Sequence, residues 1–277
     1  MLGFLKRTLA QSFPGAVDIY RELLARRQCT PRRVRATAYG FRLAGNERMA
    51  SPDFERAETR FVLHRLRQAR VFVDVGANIG FYSCLARQVG AHVIAVEPSR
   101  DNLYCLLFNI HANGWNDIEV LPVGLSDHIG LAGLHGGGTG ASMLADWAGT
   151  AAASNRVIPL STMDTVLGDR FAGEPLLVKI DVEGAEFRVV RGAERVLARR
   201  PSPVWLVEIC LTEHHPKGLN PDFGEVFARF WSHGYEAFSL LVDGSTRLVT
   251  REHVTRWVAE RRREFGYASY IFERTAP

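Results

Sequence analysis

Apolar residues along this chain fall into two alternating patterns: short runs that are almost unbroken, and longer stretches in which they recur every three or four positions. The runs predict strands, and the spaced positions predict helices packed on them. The sharpest junction lies between Val71 and Tyr82. A β-rich run, Val71 to Val75, interrupted only by Asp74, breaks into a glycine-bounded turn, Gly76 to Gly80, and then into a helical pattern that ends near Gly90. Glycine has no Cβ, so backbone can approach a ligand closely at such a turn, and the new helix has free N–H groups to offer it. We read the stretch as strand, tight turn and helix, forming a cofactor cradle.

The alternation continues towards the C-terminus. Ala91 to Val96 predicts a second strand ending at Glu97-Pro98, and Ser99 an N-cap for a helix whose Leu103, Leu106, Leu107 and Ile110 share one face before Asn113-Gly114 stops it. Ile118 to Val123 predicts a third strand, Leu176 to Ile180 a fourth and Val204 to Cys210 a fifth. From Gly130 to Thr150 the pattern lapses, and Gly136, Gly137, Gly138 and Gly140 close together predict a flexible hairpin or flap. Val157 to Leu160 resumes an extended run and Ser161 to Leu167 a short helix. Phe187 to Leu197 and Pro221 to Trp231 predict helices, followed by a strand through Leu241, a hairpin turn at Asp243-Gly244, a charged helix over Arg251 to Glu264 and a last strand, Ala268 to Phe272. Such alternation argues an α/β fold built on a doubly wound, mostly parallel sheet, with ligands outside the carboxyl ends of its strands.

Before Val71 the pattern is looser. Residues 1–27 have loose helical spacing interrupted at Pro14-Gly15, the alternation around Val34 to Leu43 predicts short strands, and Ser51-Pro52-Asp53 predicts the start of a helix carrying Phe54, Ala57, Phe61 and Leu66. Charge sets this part apart too: residues 1–69 hold 14 Lys and Arg against 6 Asp and Glu, in a chain whose net charge is only +4. Arg26, Arg27, Arg32, Arg33 and Arg35 form either a solvated face or a surface for an anionic substrate, an acidic partner or a membrane. We expect a basic arm over 1–69, a lid or homo-oligomer contact, ahead of one large domain over 70–277.

The remaining composition mainly excludes. No nucleic-acid module is recognisable. Leu2 to Leu5 is cut short by Lys6 and Arg7, and no apolar run approaches the ~20 residues of a membrane span, so neither a signal peptide nor a membrane helix is expected. Cys29, Cys84, Cys105 and Cys210 are far apart and never form Cys-x-x-Cys, which predicts reduced thiols in a cytoplasmic protein rather than a disulfide framework or a zinc site.

Three features narrow the cofactor. The turn Gly76-Ala77-Asn78-Ile79-Gly80 lacks the middle glycine of the dinucleotide fingerprint, which argues against NAD. Glu97 ends the second strand, where a carboxylate can accept both hydroxyls of an adenosine ribose. Asp74, just before the turn, would repel a phosphate and suit the ammonium group of a methionine moiety. Together they favour S-adenosylmethionine.

The blocks Val-Asp-Val-Gly-Ala-Asn-Ile-Gly (73–80), Val-Glu-Pro (96–98), Gly-Leu-Ser-Asp (124–127) and Lys-Ile-Asp-Val-Glu-Gly-Ala-Glu (179–186) resemble those of FkbM-type methyltransferases, in order and at suitable spacing. The resemblance implies a seven-stranded Rossmann-like domain that binds S-adenosylmethionine and methylates a hydroxyl of a sugar or natural product. It also implies that Asp74, Gly76, Ala77, Asn78 and Gly80 line the methionine end, that Glu97 holds the ribose, and that Ser126 and Asp127 lie near the adenine.

A hydroxyl acceptor must lose its proton as it is methylated, so a base is needed. Asp181 and Glu183 at the end of the fourth strand, Glu208 near the end of the fifth, and His214 or His215 beyond it are the candidates, with Asp181 first. Asp181, Glu208 and a histidine are also the residues that would hold a divalent cation acidifying the hydroxyl, although their spacing is no recognised metal signature. Lys179, in a buried strand, demands a carboxylate partner. Two other readings stay open: an NAD-dependent oxidoreductase or epimerase, and a nucleotide-binding scaffold without chemistry.

Overall fold

A computed structural model describes residues 20, 23–149, 156–266 and 268–274; the expected helical spacing over residues 1–19 and the end of the flap lie outside them. In chain order the elements are β1 (Arg35–Ala36), β2 (Arg42–Leu43), α1 (Arg56–Leu66), β3 (Val71–Val75), α2 (Phe81–Gln88), β4 (His92–Val96), α3 (Arg100–Ala112) and β5 (Glu119–Leu121). There follow β6 (Gly124–Leu125), β7 (Gly130–Leu134), β8 (Arg156–Ser161), α4 (Met163–Leu167), β9 (Leu176–Ile180), α5 (Glu186–Arg191), α6 (Glu194–Leu197) and β10 (Val204–Glu208). The chain ends with α7 (Phe223–Ser232), β11 (Glu236–Leu240), β12 (Thr246–Val249), α8 (Arg251–Glu260) and β13 (Ser269–Glu273).

The central sheet runs β12-β11-β13-β10-β9-β3-β4-β5. Strands β10, β9, β3, β4 and β5 are parallel, and β13, β11 and β12 are antiparallel additions at one side. The doubly wound, mostly parallel arrangement is therefore as the alternation predicts, with eight strands rather than seven. The extra strand is β12, which the Asp243-Gly244 turn folds back onto β11. Both central strands, β3 and β9, are buried at every position, which is why they read as nearly continuous apolar runs.

Each face of the sheet carries its own core. Val71, Val73 and Val75 belong to a cluster with residues of α4 to α8, among them Val189, Phe227, Phe230 and Trp257. Phe72 points the other way, into a cluster with α1, α2, α3 and the arm residues Ala25, Cys29, Phe41, Leu43 and Met49. The period-two alternation of a strand thus assigns its neighbours to opposite layers.

Several local expectations change. Helix α1 starts at Arg56 rather than near Ser51, because Ser51 to Phe54 close a turn (Phe54 N–H to Ser51 C=O, 3.2 Å) and Glu55 sits in the left-handed region at φ 39°. The helix expected over 187–197 breaks at Gly192, where an added Cβ would lie 2.0 Å from the Ser126 carbonyl oxygen. The glycine-rich segment is no free flap over its described part: β7 pairs antiparallel with β8, and β6 pairs parallel with β8, in a small separate sheet. Reduced thiols hold for Cys84 and Cys210, both buried and free, but Cys29 and Cys105 are joined in a disulfide. Their 76-residue separation hides this pairing, which arises only when the arm folds onto α3. Among the described residues no helix is long and apolar enough to cross a membrane.

Candidate active site

The β3–α2 turn is built by two glycines with different obligations. At Gly76 (φ 84°) an added Cβ would lie 1.8 Å from the Asp181 carbonyl oxygen, so the end of β9 can cross close to the turn only because no side chain stands there. Gly80 (φ 91°) begins α2 in the left-handed region and faces Leu106 of α3, whose Cδ1 would be 2.4 Å from a Cβ. Between them Asn78 also has positive φ, 52°, a conformation that asparagine tolerates better than most residues. Its N–H donates to Glu97 Oε2 at 2.8 Å, and the Ser99 N–H donates to Glu97 Oε1 at 2.7 Å. Burial pushes the Glu97 carboxyl up to about 7, against these two N–H groups, which favour the ionised form.

An inner cleft opens at this point. It is lined by Gly76, Asn78, Glu97, Pro98 and Asn102, by the apolar Val123, Leu125, Leu134 and Met143, and by Asp181, Val182 and Glu183. Gly76, Asn78, Thr139, Asp181 and Glu183 also line a second chamber, which adds Asp74, Ala77, Tyr82, Lys179 and Glu208 together with Asn46, Arg48, Met49, Phe54 and Glu55 from the arm. Glu55 and Glu208 continue into a third, outer hollow with Arg56, Glu213, His214 and Arg263. The three form one path along the carboxyl ends of β4, β3, β9 and β10.

Charge along this path is organised around one buried ammonium. Lys179 Nζ lies 2.9 Å from Asp181 Oδ2 and 4.7 Å from the centroid of the Tyr82 ring. Burial opposes its charge, but Asp181, Glu55 and Asp74 together hold it above the ordinary lysine range. Asp74, opposite Lys179 in the sheet register, is buried and accepts a hydrogen bond from Ser83 Oγ at 2.6 Å. Its carboxyl is raised, mainly by burial. Glu208 is raised well above the carboxylate range, chiefly by the neighbouring charge of Asp181 and then by burial. Burial, then Asp181, pushes Glu183 up to about 7.

Most of the candidate residues therefore converge on one cleft: Asp74, Gly76, Ala77, Asn78, Glu97, Asp181 and Glu208. Gly80 shapes the turn from outside it. His214 lies at the outer end, exposed, in the left-handed region at φ 64°. Ser126 and Asp127 line neither chamber: Ser126 is fully buried, and Asp127 is engaged by His128 and Arg191. Among the described residues, no group of three or more His, Cys, Asp and Glu side chains is arranged to hold a metal ion.

Three participants escape sequence reasoning. Glu55 reaches the chamber from the arm and accepts a hydrogen bond from the Tyr82 hydroxyl at 2.7 Å. Trp147, buried, donates its indole N–H to Glu183 Oε2 at 2.6 Å and packs so closely on Gly184 that a Cβ there would meet its ring at 2.5 Å. A lone tryptophan in a glycine-rich stretch was the available signal for Trp147; Glu55 and Tyr82 carry none.

The sequence model of the methyltransferase FkbM domain matches residues 74–237, more than half of the chain and every residue lining the inner cleft. The chain belongs to the FkbM methyltransferase family. The match begins at Asp74 and leaves the arm outside. No curated protein matches the chain in sequence. Among solved structures, the chain is similar to the ribosomal protein L11 methylase of Lactobacillus delbrueckii subsp. bulgaricus at TM-score 0.44 and 9% identity, over 84% of this chain and 81% of that one. It is also similar to the precorrin-6y C5,15-methyltransferase of Geobacter metallireducens GS-15 (TM-score 0.41, 10% identity, 78% and 87% covered) and to the plantazolicin methyltransferase BpumL in complex with SAH (TM-score 0.38, 11% identity, 98% and 96% covered).

Proposed function

We propose that this FkbM-family protein transfers the methyl group of S-adenosylmethionine to a hydroxyl of a small molecule or saccharide. The observation that carries this reading is the path from Glu97, past Gly76 and Asp181, to a chamber where Glu208 is held above the ordinary carboxylate range. The residues present fit the cofactor. Glu97 has its carboxylate anchored by two N–H groups at the end of β4 and keeps lone pairs for ribose hydroxyls. Asn78 Oδ1 is a buried acceptor without a partner among the described residues. Apolar side chains of Pro98, Val123, Leu125 and Met143 would enclose the base, and Asp74 suits an ammonium.

When bound, S-adenosylmethionine supplies an activated methyl group for in-line displacement. The chain's own work is to place the acceptor, exclude water and take a proton. Glu208 is the base of choice: its proton affinity, raised chiefly by Asp181 and then by burial, makes it a stronger base than a free carboxylate. Lys179 orients Asp181 through their 2.9 Å contact, so Asp181 positions and tunes rather than abstracts. His214, exposed at the outer hollow, would meet the distal part of the acceptor.

A thermal-shift series with S-adenosylhomocysteine, S-adenosylmethionine and NAD tests the cofactor. Ligand at 100 times its dissociation constant stabilises the fold by ~2.7 kcal/mol, and the two sulfur nucleosides alone should produce that shift. Stabilisation by NAD instead would turn the reading to an oxidoreductase, and none at all to a scaffold. Acceptor screening, beginning with glycosides and scored by methyl transfer, tests the second half.

A further inference from the structure

The arm brings one positive charge to the second chamber that the proposed chemistry does not use. Arg48 lies between β2 and α1 and lines that chamber with Asp74, Ala77 and Asn78. Two cations line it among the described residues, Arg48 and Lys179. Lys179 is committed: it is buried, bonded to Asp181 and stacked over Tyr82. The Arg48 guanidinium has no hydrogen-bond or ion-pair partner among the described residues; only its backbone N–H is engaged, by Asn46 Oδ1 at 3.0 Å.

The loop bearing Arg48 is tied to the cradle. Asn109 of α3 accepts from the Ala44 N–H at 2.8 Å and donates both to the Ala44 carbonyl at 3.0 Å and to the Ile79 carbonyl, inside the glycine turn, at 2.8 Å. Asn113 makes the same pair of bonds to Arg42, at 2.7 and 2.8 Å. The disulfide from Cys29 to Cys105 and the buried side chain of Met49 complete the attachment. One asparagine thus fixes the arm and the cofactor turn to each other.

A methionine moiety is zwitterionic. Its ammonium suits the Asp74 side of the chamber, whereas its carboxylate would be repelled by Glu55, Asp181, Glu183 and Glu208 unless a cation met it. We infer that Arg48 binds the carboxylate of the cofactor's methionine moiety, so that the arm, outside the family-matched residues, completes the cofactor site. This rests on the S-adenosylmethionine reading above. A guanidinium binds a carboxylate through paired, charge-assisted hydrogen bonds, which makes arginine the suitable residue.

Isothermal titration of the full chain and its Arg48→Gln and Arg48→Lys variants, with S-adenosylhomocysteine and with 5′-methylthioadenosine, tests it. The second compound lacks the amino-acid carboxylate. Arg48→Gln should weaken S-adenosylhomocysteine by about ten- to a hundredfold and change 5′-methylthioadenosine by less than about twofold, with Arg48→Lys intermediate. Arg48 is exposed, so an unchanged melting temperature is the control for folding. Equal weakening of both compounds would overturn the inference, as would no weakening of either. An unchanged S-adenosylhomocysteine affinity with a raised acceptor KM would also overturn it, assigning the guanidinium to an acceptor anion. If the unaltered chain bound neither nucleoside, the cofactor reading itself would fall, and this inference with it.

Discussion

Glu97, buried, and Glu208, half-buried, stand at the carboxyl ends of two strands of one sheet, both with raised proton affinity, yet their surroundings differ in kind. Two backbone N–H groups grip the Glu97 carboxylate, and burial is the main force against its charge. Glu208 has instead the negative charge of Asp181 as its dominant neighbour, with Lys179 as partial relief. The contrast teaches how one side-chain type serves two ends of a cleft. A carboxylate ringed by donors is a fixed acceptor for ligand hydroxyls, while one beside another carboxylate is primed to take a proton.

The largest effect that separates the two should come from Glu208→Gln. Loss of a positioned base costs about a hundred- to ten-thousandfold in kcat, so turnover should collapse while calorimetric affinity for S-adenosylhomocysteine stays within about twofold. Turnover near the unaltered level would remove Glu208 from the proton path. The mirror experiment is Glu97→Gln, for which hydrogen bonds to a charged group, worth ~1.5–3 kcal/mol, predict about ten- to a hundredfold weaker cofactor binding. Here kcat at saturating cofactor should be nearly preserved, the opposite split from Glu208→Gln.

A pH series sharpens the same comparison by a smaller factor. Glu97 titrates near 7, and hydroxyl donors favour its ionised form. Cofactor affinity should therefore be highest above pH 7 and fall about tenfold for each unit below it. Titrations between pH 8 and pH 6 check this, and Glu97→Gln should flatten the slope. The smallest effect belongs to Trp147→Phe. Without the indole N–H, which favours ionised Glu183, that carboxyl should titrate higher still. The titration profile of Glu183, followed by NMR of labelled glutamate, should then move by less than about one unit to higher pH. A profile unmoved in pH, with stability lowered alone, would leave Trp147 a packing residue.

How far these residues were legible varied with the range of their contacts. Asp74, Gly76, Asn78 and Glu97 act within one strand–turn–helix and its neighbour, so their spacing carried the signal. Lys179 announced a carboxylate partner because a buried ammonium requires one, and Asp181 two residues on supplies it. The strand runs were read to within a few residues because β3 and β9 are buried on both faces. Ser126 and Asp127, placed near the adenine by family likeness, follow Leu125 of the inner cleft; the Ser126 N–H bonds the Ser161 carbonyl and Asp127 pairs with Arg191.

The arm gave the least warning. Its core residues Phe41, Leu43 and Met49 share no regular period, and its disulfide links residues 76 apart. Its attachment to α3 runs through side-chain amides of Asn109 and Asn113 to backbone atoms of Ala44 and Arg42. Backbone atoms carry no sequence identity, so such contacts have no local pattern to reveal them.

By itself the sequence determined the alternation of strands and helices, the glycine turn, the acid at the end of β4 and the family blocks. Each depends on side-chain period or on a short-range conformational demand, and both are written in neighbouring residues. Only the tertiary structure decided that Glu55, Arg48 and Trp147 reach the cleft, and that Asp181, together with burial, raises Glu208. Electrostatic coupling and chamber lining depend on distances between elements far apart in the chain, and those distances exist only once both faces of the sheet have been packed.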